Sequence, residues 1–146
     1  MDQAFTFADL EIIFQEVLSC KKGGMKVSRV ALREVAFARS GDKGDTSNVG
    51  LVPYRPHDSD WLLEQVTVDR VQELFGSEVK GPIHRYTLGG ISAINFVLER
   101  ALSGGVSRSL NLDAHGKSWG NLLLRMEVEA PLGWMPGWLE ESGPIE

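Results

Sequence analysis

The side chains best suited to chemistry crowd into one short run, Ala38-Arg39-Ser40-Gly41-Asp42-Lys43-Gly44-Asp45-Thr46-Ser47-Asn48. It holds two glycines, two carboxylates and two cations among small polar residues. Anion binding is one use for such a run. Glycines let backbone N–H groups converge on an anion, and Arg39 and Lys43 add positive charge beside Ser40, Thr46 and Asn48. A carboxylate, a phosphate or the phosphate end of a coenzyme A thioester would suit. The run is not a Walker A loop, which needs glycine, four residues, then Gly-Lys-Ser/Thr. Metal binding is a second use, because Asp42, Asp45 and Asn48 offer hard oxygen ligands. The acidic positions and closing glutamate of an EF-hand are missing, so magnesium shared with a substrate is the most this supports, and no metal site is assigned. Asp42 or Asp45 as a general base is a third use. Against these stands a purely architectural role. Asp, Ser, Thr and Asn routinely bond nearby backbone to fix a turn, and Arg39 and Lys43 can simply neutralise Asp42 and Asp45.

Nucleophilic catalysis finds less support. Ser40 has no histidine near it in sequence, and His57, His84 and His115 are scattered. His84 reads as a structural histidine on a strand and His115 as a solvated turn residue. Cys20 reads as packing. Arg108 is different, because it shares the parity of Leu110 and Leu112 and so starts a strand on the inward side. A charge there needs a partner, and Asp42 or Asp45 would supply one. The alternative is that Arg108 snorkels out at the sheet edge. The candidate ligand-binding set is therefore Arg39, Ser40, Asp42, Lys43, Asp45, Thr46, Asn48 and Arg108. No catalytic residue and no cofactor follows from the sequence.

These residues need elements to hold them. Apolar runs flank the polar stretch, so residues 29–38 and 48–54 read as antiparallel strands joined by a polar loop. Leu62, Leu63 and Val66, then Val68, Val71, Leu74 and Phe75, predict a kinked helix over 60–75, with Thr67 capping its second part and Gly76 ending it. Ile83 to Leu88 alternates as a strand. Ser92 caps a predicted helix in which Ile94, Val97, Leu98, Ala101 and Leu102 recur at helical spacing, stopped by Gly104-Gly105. A hairpin follows, with Leu110 and Leu112 on one strand and Leu122, Leu124, Met126 and Val128 on the other, turned by Ala114-His115-Gly116-Lys117. The expected fold is an α/β (α+β) two-layer sandwich with one mostly antiparallel sheet and two helices on one face, ordered β-β-α-β-α-β-β. In front, Phe7, Leu10, Phe14, Val17 and Leu18 predict an extra helix capped by Thr6 and ended by Gly23-Gly24. Translation starting at Met25 would make residues 1–24 an appendage. The domain proper is expected over 25–130, and 131–146 as an irregular tail whose Trp134 and Trp138 pack back or meet a partner.

Composition narrows the class. A length of 146 residues suits one domain with a real core. A formal net charge of −5 argues against a nucleic-acid partner, which wants a basic face. No apolar run approaches the roughly 20 residues of a membrane span. The opening residues, with Asp2, Asp9 and Glu11, do not read as a secretion signal. The lone Cys20 fits a reducing compartment, and a cytoplasmic protein is expected.

The run Ala38 to Asp45 with Asn48 and Gly50, then Tyr86, Asn95-Phe96, Gly104-Gly105-Val106-Ser107-Arg108-Ser109-Leu110, and Leu112-Asp113 with Gly116-Lys117, resembles the small C-terminal domain of the acyclic terpene utilisation (AtuA-like) proteins. The resemblance covers roughly residues 29–129. It implies a ferredoxin-like fold and a setting in bacterial catabolism of acyclic terpenoids and related acyl-CoA compounds, without implying a reaction. In the larger relatives this module follows a big N-terminal domain, so the chain looks like the small module encoded alone. An accessory or assembly subunit is then expected. It would join a large AtuA-like partner chain, or itself as a homo-oligomer, and use neither nucleic acid nor membrane.

Overall fold

The computed structural model describes residues 28–105 and 107–137 of the chain. The predicted helix over residues 6–22, and Trp138 in the tail, lie outside these residues. Two antiparallel sheets form. Strands β1 (Ser28–Ala31) and β6 (Glu127–Ala130) pair with each other, Val30 opposite Val128. Strands β2 (Ala36–Lys43), β3 (Thr46–Pro53), β4 (Ile83–Leu88) and β5 (Ala93–Leu98) make the larger sheet, in the order β2-β3-β5-β4. Among the described residues three α-helices accompany them: α1 (Ser59–Gln65), α2 (Val68–Phe75) and α3 (Trp119–Leu123).

The α+β class and the antiparallel pairing agree with the sequence. The break between α1 and α2 does too. The Thr67 hydroxyl accepts the Arg70 N–H at 3.3 Å, and Gly76 ends α2 at a φ of +55°. Arg85 on β4 satisfies the last carbonyls of α1, donating to Leu63 O at 2.6 Å and Val66 O at 3.1 Å.

Four expectations give way. The single sheet is two, because the predicted strand over 29–38 is split at Leu32–Glu34, where the chain turns from one sheet into the other. The polar loop is mostly strand. Lys43 pairs with Thr46, so only Gly44 and Asp45 form the turn, with Gly44 at a φ of +65°. The helix predicted after Ser92 is strand β5. As a central strand it carries apolar residues on both faces, and that density imitated helical spacing. Ile94, Phe96 and Leu98 alternate inward as a strand requires. Finally, the predicted hairpin over 108–128 is a looped segment, then α3, then β6. Leu110 and Leu112 stand fully in water rather than inside.

One core unites these elements. Val49, Leu51, Phe96 and Leu98 line the inner face of the larger sheet and are closed over by Leu62, Val66, Val71 and Phe75 of α1 and α2 and by Leu123 of α3. Val128 on β6 joins the same core. The tail returns to the domain through Trp134. Its indole N–H donates to the Asp58 carboxylate at 3.0 Å, beside the Trp61 indole at 3.1 Å and Arg55 Nε at 2.9 Å. At the margin of the small sheet the Gln65 amide accepts the Glu129 N–H and donates to the Glu129 carbonyl, each at 2.7 Å. Arg70 donates to the Glu127 carbonyl.

Candidate functional site

Strand alternation sorts the polar run between two faces. Ser40 and Asp42, paired with Val49 and Ser47, face inward, whereas Arg39, Gly41 and Lys43, paired with Gly50, Asn48 and Thr46, face outward. The inward group is architectural. The Ser40 hydroxyl is buried, donates to the Lys117 carbonyl at 3.0 Å and accepts the Gly120 N–H at 3.0 Å. The Ser47 hydroxyl donates to the Gly41 carbonyl at 3.4 Å. At the turn, the Asp45 carboxylate accepts the N–H groups of Leu102 at 3.1 Å and Gly104 at 2.7 Å, while its carbonyl accepts Ala101 N–H at 2.8 Å. These bonds dock residues 101–120 onto the hairpin. Close backbone approach completes the docking. A Cβ on Gly105 would stand 3.0 Å from the Gly44 carbonyl oxygen, and one on Gly120 3.3 Å from Ala38 backbone.

Arg108 does not join this knot. It is exposed, and its side chain has no partner among the described residues; its N–H bonds the Gly105 carbonyl at 3.0 Å. The cause is the loop. Gly104 and Gly105 take φ values of +93° and +90°, which turn the chain instead of starting a strand, so inward parity never applies. Nor do Asp42, Asp45 and Asn48 form one oxygen cage. Asp45 is occupied by N–H donors, and Asn48 faces away from Asp42. Among the described residues no group of three or more His, Cys, Asp or Glu could hold a metal ion.

Lys117 and His115, which sequence reasoning placed in a turn, and Asp113, which it placed at the end of the preceding strand, are the partners it left out of the site. Lys117 Nζ lies 3.4 Å from the Asp42 carboxylate. Asp113 accepts the Lys117 N–H at 2.9 Å, the Ser118 N–H at 2.8 Å and the Ser118 hydroxyl. Desolvation pushes the Asp42 carboxyl up, but its own backbone N–H, the Lys117 hydrogen bond and charge, and His115 together hold it below the ordinary carboxylate value. Desolvation raises Asp113 likewise, and the two Ser118 bonds, the Lys117 N–H and His115 outweigh it. A carboxyl held this acidic is a poor proton acceptor, so the geometry does not favour Asp42 as a base.

The sign of the linkage is testable. A depressed folded pKa contributes stability that is present above the unfolded value, about 4, and is lost as pH falls through the folded one. Asp113→Asn is therefore expected to be less stable than the wild type at pH 7, with the gap closing below about pH 4. Urea melts from pH 7 to pH 2.5 measure it. A gap that persists unchanged at low pH would mean that the charge of Asp113 contributes nothing.

Among the described residues the outward group is open. The face reads across the strands as Arg39, Gly50, Asn95, Tyr86 in one row and Gly41, Asn48, Val97, His84 in the next. Arg39 and Lys43 are exposed and have no side-chain partner among the described residues. Phe37 is 49% exposed, Tyr86 52% and Leu88 43%, and the described helices all pack on the other face. Gly50, Asn95 and Tyr86 were not assigned to the site from the sequence; their signal was parity with Asn48 on β3 and cross-strand register, which a sequence does not print.

Antiparallel sheets with a few helices packed on one face, the other face bare among the described residues, are consistent with a ferredoxin-like domain. Residues 30–129 match the family model of the AtuA ferredoxin-like domain, and the chain belongs to that family. Neither the curated proteins nor the solved structures contain a significant match. No helix among the described residues is long and apolar enough to cross a membrane.

Proposed function

We propose that the chain is a non-catalytic accessory module that docks through the bare face of its larger sheet onto a larger chain of the same family. One observation carries this reading: Phe37, Tyr86 and Leu88 stand half in water on one continuous face whose opposite side holds the whole core. Exposed large apolar groups gathered on one face favour a macromolecular partner. Tyr54, 58% exposed and with its ring 6.1 Å from that of Phe37, extends the same surface. The inward polar residues support the reading by being fully used in holding the hairpin. On the strength of the motif resemblance, we attach the role to the breakdown of acyclic terpenoids or related acyl-CoA compounds in the cytoplasm.

The test is co-purification of the tagged chain from its native cell, with light scattering for mass, beside a Leu88→Asp variant. The expected result is a complex with a chain carrying the large family domain, lost in Leu88→Asp while the circular dichroism stays unchanged. Dimerisation lost in the same variant keeps the docking face but makes a second copy the occupant. A wild-type chain that stays monomeric and retrieves no family partner overturns the proposal.

A further inference from the structure

One corner of the bare face has the chemistry of a small-molecule site, and this goes beyond the docking role without depending on it. Arg39 and Gly41 on β2 sit opposite Gly50 and Asn48 on β3, and all four share the outward face. The two glycines occupy one diagonal of this square and the two polar side chains the other. The result is a notch floored by backbone and walled by a guanidinium and an amide. Nothing fills it from within: the nearest atom to a Cβ built on Gly50 is the Arg39 carbonyl oxygen at 3.7 Å, and for Gly41 it is Lys117 Nζ at 3.9 Å. The Lys117 ammonium therefore stands at the rim, where it already pairs with the Asp42 carboxylate at 3.4 Å.

Charge decides what the notch accepts. The outward strand positions are Phe37, Arg39, Gly41 and Lys43, Thr46, Asn48, Gly50 and Val52, Ala93, Asn95 and Val97, and His84, Tyr86 and Leu88, and none is acidic. The chain as a whole carries 20 acidic and 15 basic residues. Carboxylates stand only at the margins of this face, Glu99 at 3.1 Å from His84 and Asp42 at 3.4 Å from Lys117, while Arg39 and Lys43 are unpaired among the described residues, so the Arg39 corner is complementary to an anion. The planar guanidinium fork suits a carboxylate or phosphate, and the Asn48 amide can add a donor. Beyond Gly50 the row continues to Asn95 and Tyr86, a polar group and then a flat ring along which an organic body can lie.

We infer that the Arg39–Gly41–Asn48–Gly50 notch binds the oxyanion of a small organic acid or phosphate ester, with Lys117 closing the rim and the ligand body lying across Gly50 toward Tyr86. The probes are acetate, hexanoate and inorganic phosphate, titrated into the isotope-labelled full chain and followed by amide NMR. The expected result is saturable shifts at the Gly41 and Gly50 amides and the Asn48 side-chain amide. Saturation by the carboxylates alone assigns an acid, and by phosphate alone a phosphate ester; both sustain the site. Hexanoate binding tighter than acetate supports the track toward Tyr86. Arg39→Ala, at an exposed side chain, is expected to weaken binding about tenfold or more. Gly50→Leu is expected to abolish it by filling the floor. If Gly50→Leu fails to give a dispersed spectrum, Arg39→Ala carries the test alone. Shifts that are absent, that never saturate, or that survive Arg39→Ala overturn the inference. None of these outcomes bears on partner docking, which is read by mass and not by titration.

Discussion

Asp58→Ala is expected to cost about 3–5 kcal/mol of folding stability, because it breaks a buried charge network by removing its centre. Asp58 is 2% exposed and takes three donors, the Arg55 guanidinium and the indoles of Trp61 and Trp134. Its removal leaves two indole N–H groups without their acceptor and takes the carboxylate away from a guanidinium that is only 16% exposed. The loss spreads along the chain. Trp134 is held by this carboxylate, by edge contact with Trp61 at 6.2 Å and by Arg55 over its ring at 5.4 Å. Near-UV circular dichroism should therefore lose tryptophan signal before the far-UV transition. Asp58→Asn, which keeps an oxygen acceptor, is expected to lose less. Guanidinium melts of the three proteins settle the matter; a loss below about 1 kcal/mol for the alanine variant would show that the network is not a fastening.

Gly105→Ala is expected to cost about 2–3 kcal/mol. Two penalties add there. The residue has a φ of +90°, which an alanine avoids, and its Cβ would meet the Gly44 carbonyl oxygen at 3.0 Å and its carbon at 3.1 Å. Backbone cannot swing aside as a side chain can. Gly104→Ala separates the two effects, since its φ is +93° but its Cβ would meet only Arg108 Cβ at 3.6 Å. The prediction is that Gly105→Ala is clearly the worse of the pair, and that amide exchange at Leu102 and Gly104 speeds up while Phe96 keeps its protection. Equal losses in the two variants would mean that close approach to the hairpin tip contributes nothing.

How far the sequence announced these features depended on how local each one was. The α1–α2 break was readable because Thr67 and Gly76 act within a few residues of themselves. Strand β4 was readable because its alternation survives at a sheet edge. Strand β5 was not: it carries apolar residues on both faces, Ala93 and Val97 on one and Ile94, Phe96 and Leu98 on the other, and they fit two periods at once. The alternating leucines at 110 and 112 misled for the opposite reason. Asp113 and the two glycines at 104 and 105 commit that segment to turns, and turn chemistry overrode the pattern. The polar run was recognisable as the centre of the molecule, but not its division by strand parity into an inner fastening and an outer surface. The Asp58 network escaped notice because its far member, Trp134, is 76 positions away.

The Gln65 side chain, which offers one acceptor and one donor to Glu129, imitates a passing strand. Together with Arg70 on the Glu127 carbonyl it spends the hydrogen bonds that the rim of the small sheet would otherwise offer to a neighbouring molecule. A strand of a second molecule is thereby kept from adding at this rim, and the small sheet cannot grow sideways there into a fibre.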